Sequence, residues 1–158
     1  MTTIQQQDLV ESIASALQYI SYYHPADYIQ HLARAYAAEQ GPAAKDAIAQ
    51  ILTNSRMCAE GHRPICQDTG IVNVFVEWGQ DCRLESARSM QEVVDEGVRR
   101  AYNHPENKLR ASILADPAFT RRNTRDNTPC VLSVTMVPGS KVSIDVAAKG
   151  GGSENKSK

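Results

Sequence analysis

The hydrophobic period of the chain changes once, near Gly61, and this change limits the order in which helices and strands can occur. Before Gly61, apolar residues recur every three or four positions, as Leu9, Ile13 and Leu17 do. This is the spacing of an amphipathic helix. Three helices are predicted in this part of the chain, over about residues 6–23, over 25–39, and from Pro42 onward. We therefore expect the first sixty residues to form a helical layer.

Beyond Gly61 the apolar residues alternate with polar ones. In the segment IVNVFVEWG, Val72, Val74 and Val76 fall on one face, which is typical of a half-buried strand. Helical spacing returns from about Leu84 to Tyr102.

Two further β runs, at residues 131–137 and 141–147, flank the turn Pro138-Gly139-Ser140 and predict a β-hairpin. Helices followed by strands predict an α+β fold, in which the helical layer precedes a mixed or antiparallel sheet with one long intervening helix. No linker interrupts the chain, so we expect a single domain over residues 1–158.

Composition excludes several classes of partner. The formal net charge of −1 and the pI near 6.4 provide no long-range attraction for nucleic acid or for an anionic membrane. Neither a membrane-spanning apolar run nor a signal peptide is present, and we expect a cytoplasmic protein. The four cysteines form no CxxC pair, which disfavours a zinc ribbon.

The densest polar segment is GHRPICQDTG, between the third helix and the first strand of the sheet. Its consecutive Cys66, Gln67 and Asp68 offer a soft metal ligand, an amide and a carboxylate in a position where active-site loops often lie. The alternative is an ordinary loop in which Asp68 makes an Asx turn and Cys66 is packed. The spacing of the residues alone leaves both interpretations open.

Two other features of the sequence are typical of a site that binds an anion. Arg110, in NKLRAS, carries the planar cation that suits a carboxylate, although a single arginine is usually a surface residue. The run Gly150 to Gly152 permits close approach of a ligand to backbone amides, or else forms a flexible exit from the last strand. Lys156 and Ser157 extend it toward a Walker A pattern, but Asn155 replaces the required glycine.

Taken in order, the segments RPICQDTG, LRAS, NTRDNTP and AAKGGGSENKS resemble class I, iron–sulfur-dependent fumarate hydratases along nearly the whole chain. The sequence is similar to the N-terminal part of the long, single-chain bacterial form. The resemblance implies a hydro-lyase that hydrates fumarate to L-malate, as in the tricarboxylic acid cycle. It also implies a [4Fe–4S] cluster, held by three cysteines, as Lewis acid.

The same resemblance assigns roles to individual residues. Cys66 matches the first cluster ligand, and Asp68 is the candidate proton carrier. The remaining residues matched to substrate binding are Gln67, Asp68 itself, Arg110, Gly151, Gly152 and Lys156. Together they would complement the two carboxylates of a dicarboxylate substrate.

The resemblance also sets expectations for the whole protein. The other two cluster ligands match no cysteine here, so we expect this chain to be a truncated catalytic domain with neither cluster nor activity by itself. Family members imply a homodimer. The alternatives are an L-tartrate or other hydroxy-diacid dehydratase subunit, and a non-catalytic scaffold.

Overall fold

The computed structural model describes residues 1–153. It confirms the α+β fold class, with helices preceding a mixed sheet. The elements in chain order are β1 (Thr2–Gln5), α1 (Gln6–Tyr22), α2 (Ala26–Ala38), α3 (Pro42–Gly61), β2 (Ile71–Gly79), β3 (Cys82–Glu85), α4 (Met90–Tyr102), β4 (Val131–Val137), β5 (Val142–Lys149) and a 3-10 turn (Gly151–Ser153).

Two compact units divide the chain. One comprises Tyr19–Cys66 and contains α2 and α3. The other comprises Met1–Gln18 and the residues from Gln67 onward, and it contains the strands and α4. The single domain expected over residues 1–158 remains a prediction.

The sheet of the larger unit is built around β2. It has the strand order β4-β2-β5, in which β4 runs parallel to β2 and β5 runs antiparallel to it. A parallel neighbour needs a long crossover, and α4 with the segment after it supplies that connection.

The predicted alternation along β2 is confirmed. Val72, Val74 and Val76 are buried, with at most 1% of each exposed, whereas Phe75 on the opposite face is 51% exposed. The apolar faces of α1 and α4 supply the other buried side chains of this core, namely Leu9, Val10, Ile13 and Leu17 from α1 and Val93, Val94, Val98 and Ala101 from α4. The two helices approach closely at Gly97, where an added Cβ would lie 2.9 Å from the Ile13 side chain.

The predicted β-hairpin is wrong. Strands β4 and β5 do not pair with each other, because β2 lies between them. Their connection passes across the end of β2, where the Gly79 amide donates to the Lys141 carbonyl at 2.9 Å. A Cβ on Gly79 would lie 2.4 Å from the Gly139 oxygen. A short turn between two β runs therefore does not by itself establish that the runs are neighbours.

The fourth helix begins later than its apolar spacing predicted. It starts at Met90 because Ser89 and Glu92 form a capping box, whereas the prediction began near Leu84. The preceding residues form β3, which pairs in parallel with β1 at the N-terminus. Both strands have four residues, and their partners lie about eighty positions apart, so local periodicity did not reveal them.

The helical unit consists mainly of α2 and α3. Pro42 occupies the first turn of α3, and His62 ends that helix in the left-handed region with φ 47°. Burial is sparse: α2 has no buried residue, and α3 buries only Ser55 and Cys58. Within the described chain, no helix combines the length and apolar character that crossing a membrane requires.

Gly79→Ala tests the crossing of the β4–β5 connection. We expect the free energy of unfolding to fall by about 2 kcal/mol or more, because the new methyl group meets fixed backbone atoms. Urea denaturation of the 158-residue chain measures the change. Gly61→Ala is the control, since its added Cβ meets only the flexible Arg63 side chain, at 3.4 Å. Equal losses in the two variants would contradict the observed topology.

Candidate functional site

The carboxylate of Asp68 joins two distant segments of the larger unit. Its Oδ1 accepts the Gly70 amide at 3.2 Å, which makes the Asx turn that the sequence allowed. Its Oδ2 accepts the Gly152 amide at 3.4 Å, from a position 84 residues further along the chain. The loop before β2 therefore meets the glycine run after β5, and Asp68 lies at the point of contact.

Strand register explains this meeting. Ile71 at the start of β2 is paired with Lys149 at the end of β5, so the residues flanking them emerge at the same edge of the sheet. The chain is closely packed at two of these positions, and at Gly70 only glycine fits. Gly70 has φ +72° and a Cβ there would lie 2.3 Å from the Lys149 carbonyl carbon, while a Cβ on Gly150 would lie 3.1 Å from Asp68 Oδ2.

The peptide between Thr69 and Gly70 is held by Tyr102, at the end of α4. The Tyr102 hydroxyl donates to the Thr69 carbonyl at 2.7 Å. Burial raises the pKa of Tyr102 to about 12, and the nearby Asp68 charge also raises it. The hydroxyl therefore keeps its proton, and its role as donor, at neutral pH.

A buried asparagine holds the same turn from another side. Asn127 is 0% exposed, and its Nδ2 donates to the Gly70 carbonyl at 2.9 Å. Its Oδ1 accepts the Ser112 amide at 2.8 Å, and the Ser112 hydroxyl also donates to Gly70, at 3.2 Å. The segments LRAS and DNTP are thus tied to the Asp68 turn.

Arg110 lies next to this network. Its carbonyl accepts a hydrogen bond from the Thr69 hydroxyl, and its side chain is exposed. Among residues 1–153 the Arg110 guanidinium forms no ion pair, whereas Arg99 is held by Glu96 and Asp126. The Arg110 cation thus remains available to a ligand.

The structure brings some of the predicted site residues together. Asp68, Gly151, Gly152 and the backbone of Arg110 meet around one turn, where a Cβ on Gly151 would lie 4.0 Å from Asp68 Oδ2. Lys156 lies outside the described residues.

Cys66 and Gln67 flank the division between the two units: Cys66 ends the helical unit, and Gln67 begins the next segment of the larger one. Both side chains are exposed. The carbonyl of Ile65, in the peptide that joins it to Cys66, accepts Asn54 Nδ2 at 3.1 Å, and the Ile65 amide donates to the Ser21 carbonyl at 2.8 Å. The backbone that leads into Cys66 is therefore held within the helical unit.

The described thiols do not make a cluster site on their own. Cys58 is buried, and its sulfur contacts Asn54 Oδ1 at 3.7 Å and the Pro64 carbonyl at 3.6 Å. Cys130 is also buried. Its burial, and to a smaller extent the nearby charge of Asp95, raise the pKa of its thiol to about 12. No group of three metal-binding side chains is found among the described residues. Cys66 is the exposed thiol among them, and a thiolate is the ligand type that an iron–sulfur cluster takes.

Tyr102, Ser112 and Asn127 are residues that sequence reasoning did not single out. LRAS and DNTP contributed to the resemblance, but no role was assigned to Ser112 or Asn127 within them. A buried asparagine has no local signature, because its partners lie 15 and 57 positions away.

Comparison with known proteins identifies one family. Residues 10–158 match the family model described as fumarate hydratase (fumerase). The anaerobic class I fumarate hydratase of Escherichia coli strain K12 is 32% identical over 107 residues, which are 68% of this chain and 19% of that protein. The aerobic class I enzyme of the same strain is 34% identical over 108 residues, again 68% of this chain and 19% of that protein.

A second group of relatives aligns over more of the chain. The L(+)-tartrate dehydratase subunit alpha of Escherichia coli strain UTI89 is 27% identical over 144 residues, 91% of this chain and 47% of that protein. The chain therefore spans about half the length of the tartrate dehydratase subunit and about a fifth of the fumarate hydratases.

Asn127→Ala should destabilise the site loop. We expect the free energy of unfolding to fall by about 2–3 kcal/mol, because the buried Gly70 carbonyl loses one of its two donors and the part-buried Ser112 amide loses its acceptor. Chemical denaturation gives the value. Asn123→Ala is the matched control: its amide also bridges a carbonyl and an amide, those of Ala111 and Arg125, but the residue is exposed. A smaller loss for Asn127→Ala than for the control would refute this role.

The four thiols should also react in a definite order. Iodoacetamide at pH 8 is expected to modify Cys66 first, then the half-buried Cys82, and to reach Cys58 and Cys130 last, because burial blocks access. Mass spectrometry of peptides from the folded chain follows the reaction. Denatured chain is the control, in which all four should react alike. Early modification of Cys130 would contradict the described packing.

Proposed function

Because the chain belongs to the fumarate hydratase (fumerase) family, we propose that it forms part of a hydro-lyase that interconverts fumarate and L-malate. The names of its relatives share the addition or removal of water. The observation that carries the proposal is the meeting of three segments at Asp68: the CQDTG loop, the LRAS segment and the glycine run. All three carried the sequence resemblance.

Asp68 is proposed as the group that moves a proton. Dehydration of malate removes a proton from the carbon beside one carboxylate and hydroxide from the neighbouring carbon, and hydration reverses both. Asp68 Oδ1 accepts the Gly70 amide within the Asx turn, which orients the carboxylate. In this scheme Asp68 takes the carbon-bound proton in dehydration and returns it in hydration.

Substrate binding is assigned to Arg110, to the glycine run and to Gln67 and Lys156. Arg110 binds one substrate carboxylate in a forked geometry, while the amides of Gly151 and Gly152, with Gln67 and Lys156, receive the other. The Gly152 amide now donates to Asp68 at 3.4 Å, a long hydrogen bond. Replacing this bond by a hydrogen bond from the Gly152 amide to a substrate carboxylate would therefore cost little free energy.

The proposal includes a [4Fe–4S] cluster with Cys66 as one ligand, which when bound supplies the Lewis acid for the departing hydroxyl. The further ligands come from beyond the described residues. The proposal also includes a cytoplasmic homodimer that binds neither nucleic acid nor membrane. Light scattering of the purified protein tests the oligomeric state, and a monodisperse monomer would contradict the dimer.

Tartrate is the second candidate substrate. The tartrate dehydratase subunit aligns over 91% of the chain, whereas the fumarate hydratases are more identical over a shorter stretch. Measuring kcat/KM of the holoenzyme for malate and tartrate side by side separates the two. A larger value for tartrate would overturn the proposed substrate and leave the hydro-lyase chemistry in place.

Asp68→Asn tests the assigned proton transfer. In the holoenzyme we expect kcat for malate dehydration to fall by about 10²- to 10⁴-fold, since the amide preserves the shape of the side chain but removes the base. Asp116→Asn is the control, because Asp116 also accepts backbone amides, from Phe119 and Thr120. If the two variants retain the same activity, Asp68 does not carry the proton.

A further inference from the structure

We propose that Asn127 is a positioning residue that sets the spacing between Asp68 and Arg110, and with it the length of diacid that the site accepts. The proposal rests on the proposed function, since it takes Asp68 as the proton carrier and Arg110 as the carboxylate-binding residue. The hydrogen bonds of the Asn127 side chain within the described residues go to Gly70 and Ser112. Asn127 acts through the backbone of the two segments that carry Asp68 and Arg110.

The two ends of the Asn127 amide bind these two segments. Nδ2 donates to the carbonyl of Gly70, two residues after Asp68, at 2.9 Å. Oδ1 accepts the amide of Ser112, two residues after Arg110, at 2.8 Å. One planar group therefore separates the two backbones by a fixed distance, and its complete burial excludes water as a substitute partner.

Two further hydrogen bonds join the same two segments. Thr69 donates its hydroxyl to the Arg110 carbonyl, and the Ser112 hydroxyl donates to the Gly70 carbonyl at 3.2 Å. Each of these bonds also joins the Asp68 segment to the Arg110 segment. The side chain of Asn127 is buried, whereas the two other donors, the hydroxyls of Thr69 and Ser112, belong to less buried residues.

The position favours asparagine for two physical reasons. Bridging a carbonyl and an amide needs one donor and one acceptor, and the asparagine amide has both, whereas an ionised aspartate has no donor. The backbone at Asn127 has φ 62°, in the left-handed region that asparagine tolerates better than most residues. A β-branched or apolar residue there would lose both the bridge and the backbone conformation.

Spacing matters because a diacid presents its two carboxylates at a distance set by its carbon chain. If Arg110 fixes one carboxylate, the position of the reacting carbon relative to Asp68 follows from the separation of the two segments. A displacement of about 1 Å at a reacting centre can reduce the rate by about 10²-fold. Loss of the bridge should therefore lower kcat and also weaken discrimination by chain length.

The test replaces Asn127 by glycine, which accepts the positive φ and removes the bridge. Succinate and glutarate, with four and five carbons, serve as competitive inhibitors of malate dehydration by the holoenzyme. The wild-type enzyme should bind succinate more tightly. In Asn127→Gly we expect the ratio of the two inhibition constants to move toward unity by about tenfold, together with a lower kcat.

Asn123→Gly is the matched control. Its amide also donates to a carbonyl, that of Ala111 at 2.8 Å, and accepts an amide, that of Arg125 at 2.7 Å, but it does not bind the Asp68 turn. It should leave the ratio unchanged. An unchanged ratio in Asn127→Gly, even with lower stability or activity, would overturn the proposal and leave Asn127 a structural residue only.

Hydrogen exchange in the wild-type chain provides a measurement that does not depend on the variant folding. The Ser112 amide is held by Asn127, and the Gly70 amide by Asp68 in the turn that Asn127 restrains. Both amide protons should exchange through one common opening event and should therefore show the same protection against exchange. Exchange of the two amides through separate opening events would show that Asn127 does not hold the two segments together, and would overturn the proposal. Full activity of Asp68→Asn would refute the proposed function instead and would leave this exchange result standing.

Discussion

The pairing of β2 with two neighbours is the constraint on which the rest of the larger unit depends. With β4 on one side and β5 on the other, both edges of β2 are paired, and its Val72 face is buried in the core. The register that places Ile71 opposite Lys149 also brings the residues before β2 and after β5 to one edge of the sheet. The candidate site is therefore a consequence of strand register, and a shift of one residue would remove it.

Local patterns in the sequence predicted most elements. The apolar spacing of α1 and the alternation of β2 are strong signals because each follows directly from how one face of an element is buried. The hairpin prediction was wrong for a physical reason. Turn residues show that the chain reverses, but the choice of a pairing partner depends on burial of the whole sheet. Strand β2 has a buried face, whereas β4 and β5 contain no fully buried residue. The short strands β1 and β3 depend on a distant pairing in the same way.

The candidate site, like the fold, could be predicted in part from the sequence. Asp68 and the glycine run attract attention as residue types, and the structure places them in contact. The supports around them were not visible in the sequence, because Tyr102 and Asn127 act through carbonyl groups of residues 33 and 57 positions away. Their chemistry is ordinary for buried polar residues, which must be hydrogen-bonded. Only the fold decides which carbonyl each one reaches.

The Asp68 turn, the Arg110 segment and the glycine run are proposed to form one dicarboxylate site. The most direct measurement is a structure of the metal-loaded holoenzyme with malate bound. The account predicts one malate carboxylate within hydrogen-bonding distance of the Arg110 guanidinium, the other at the Gly151 and Gly152 amides, and Asp68 beside the carbon that loses its proton. Malate bound without contact to any of these groups would contradict it.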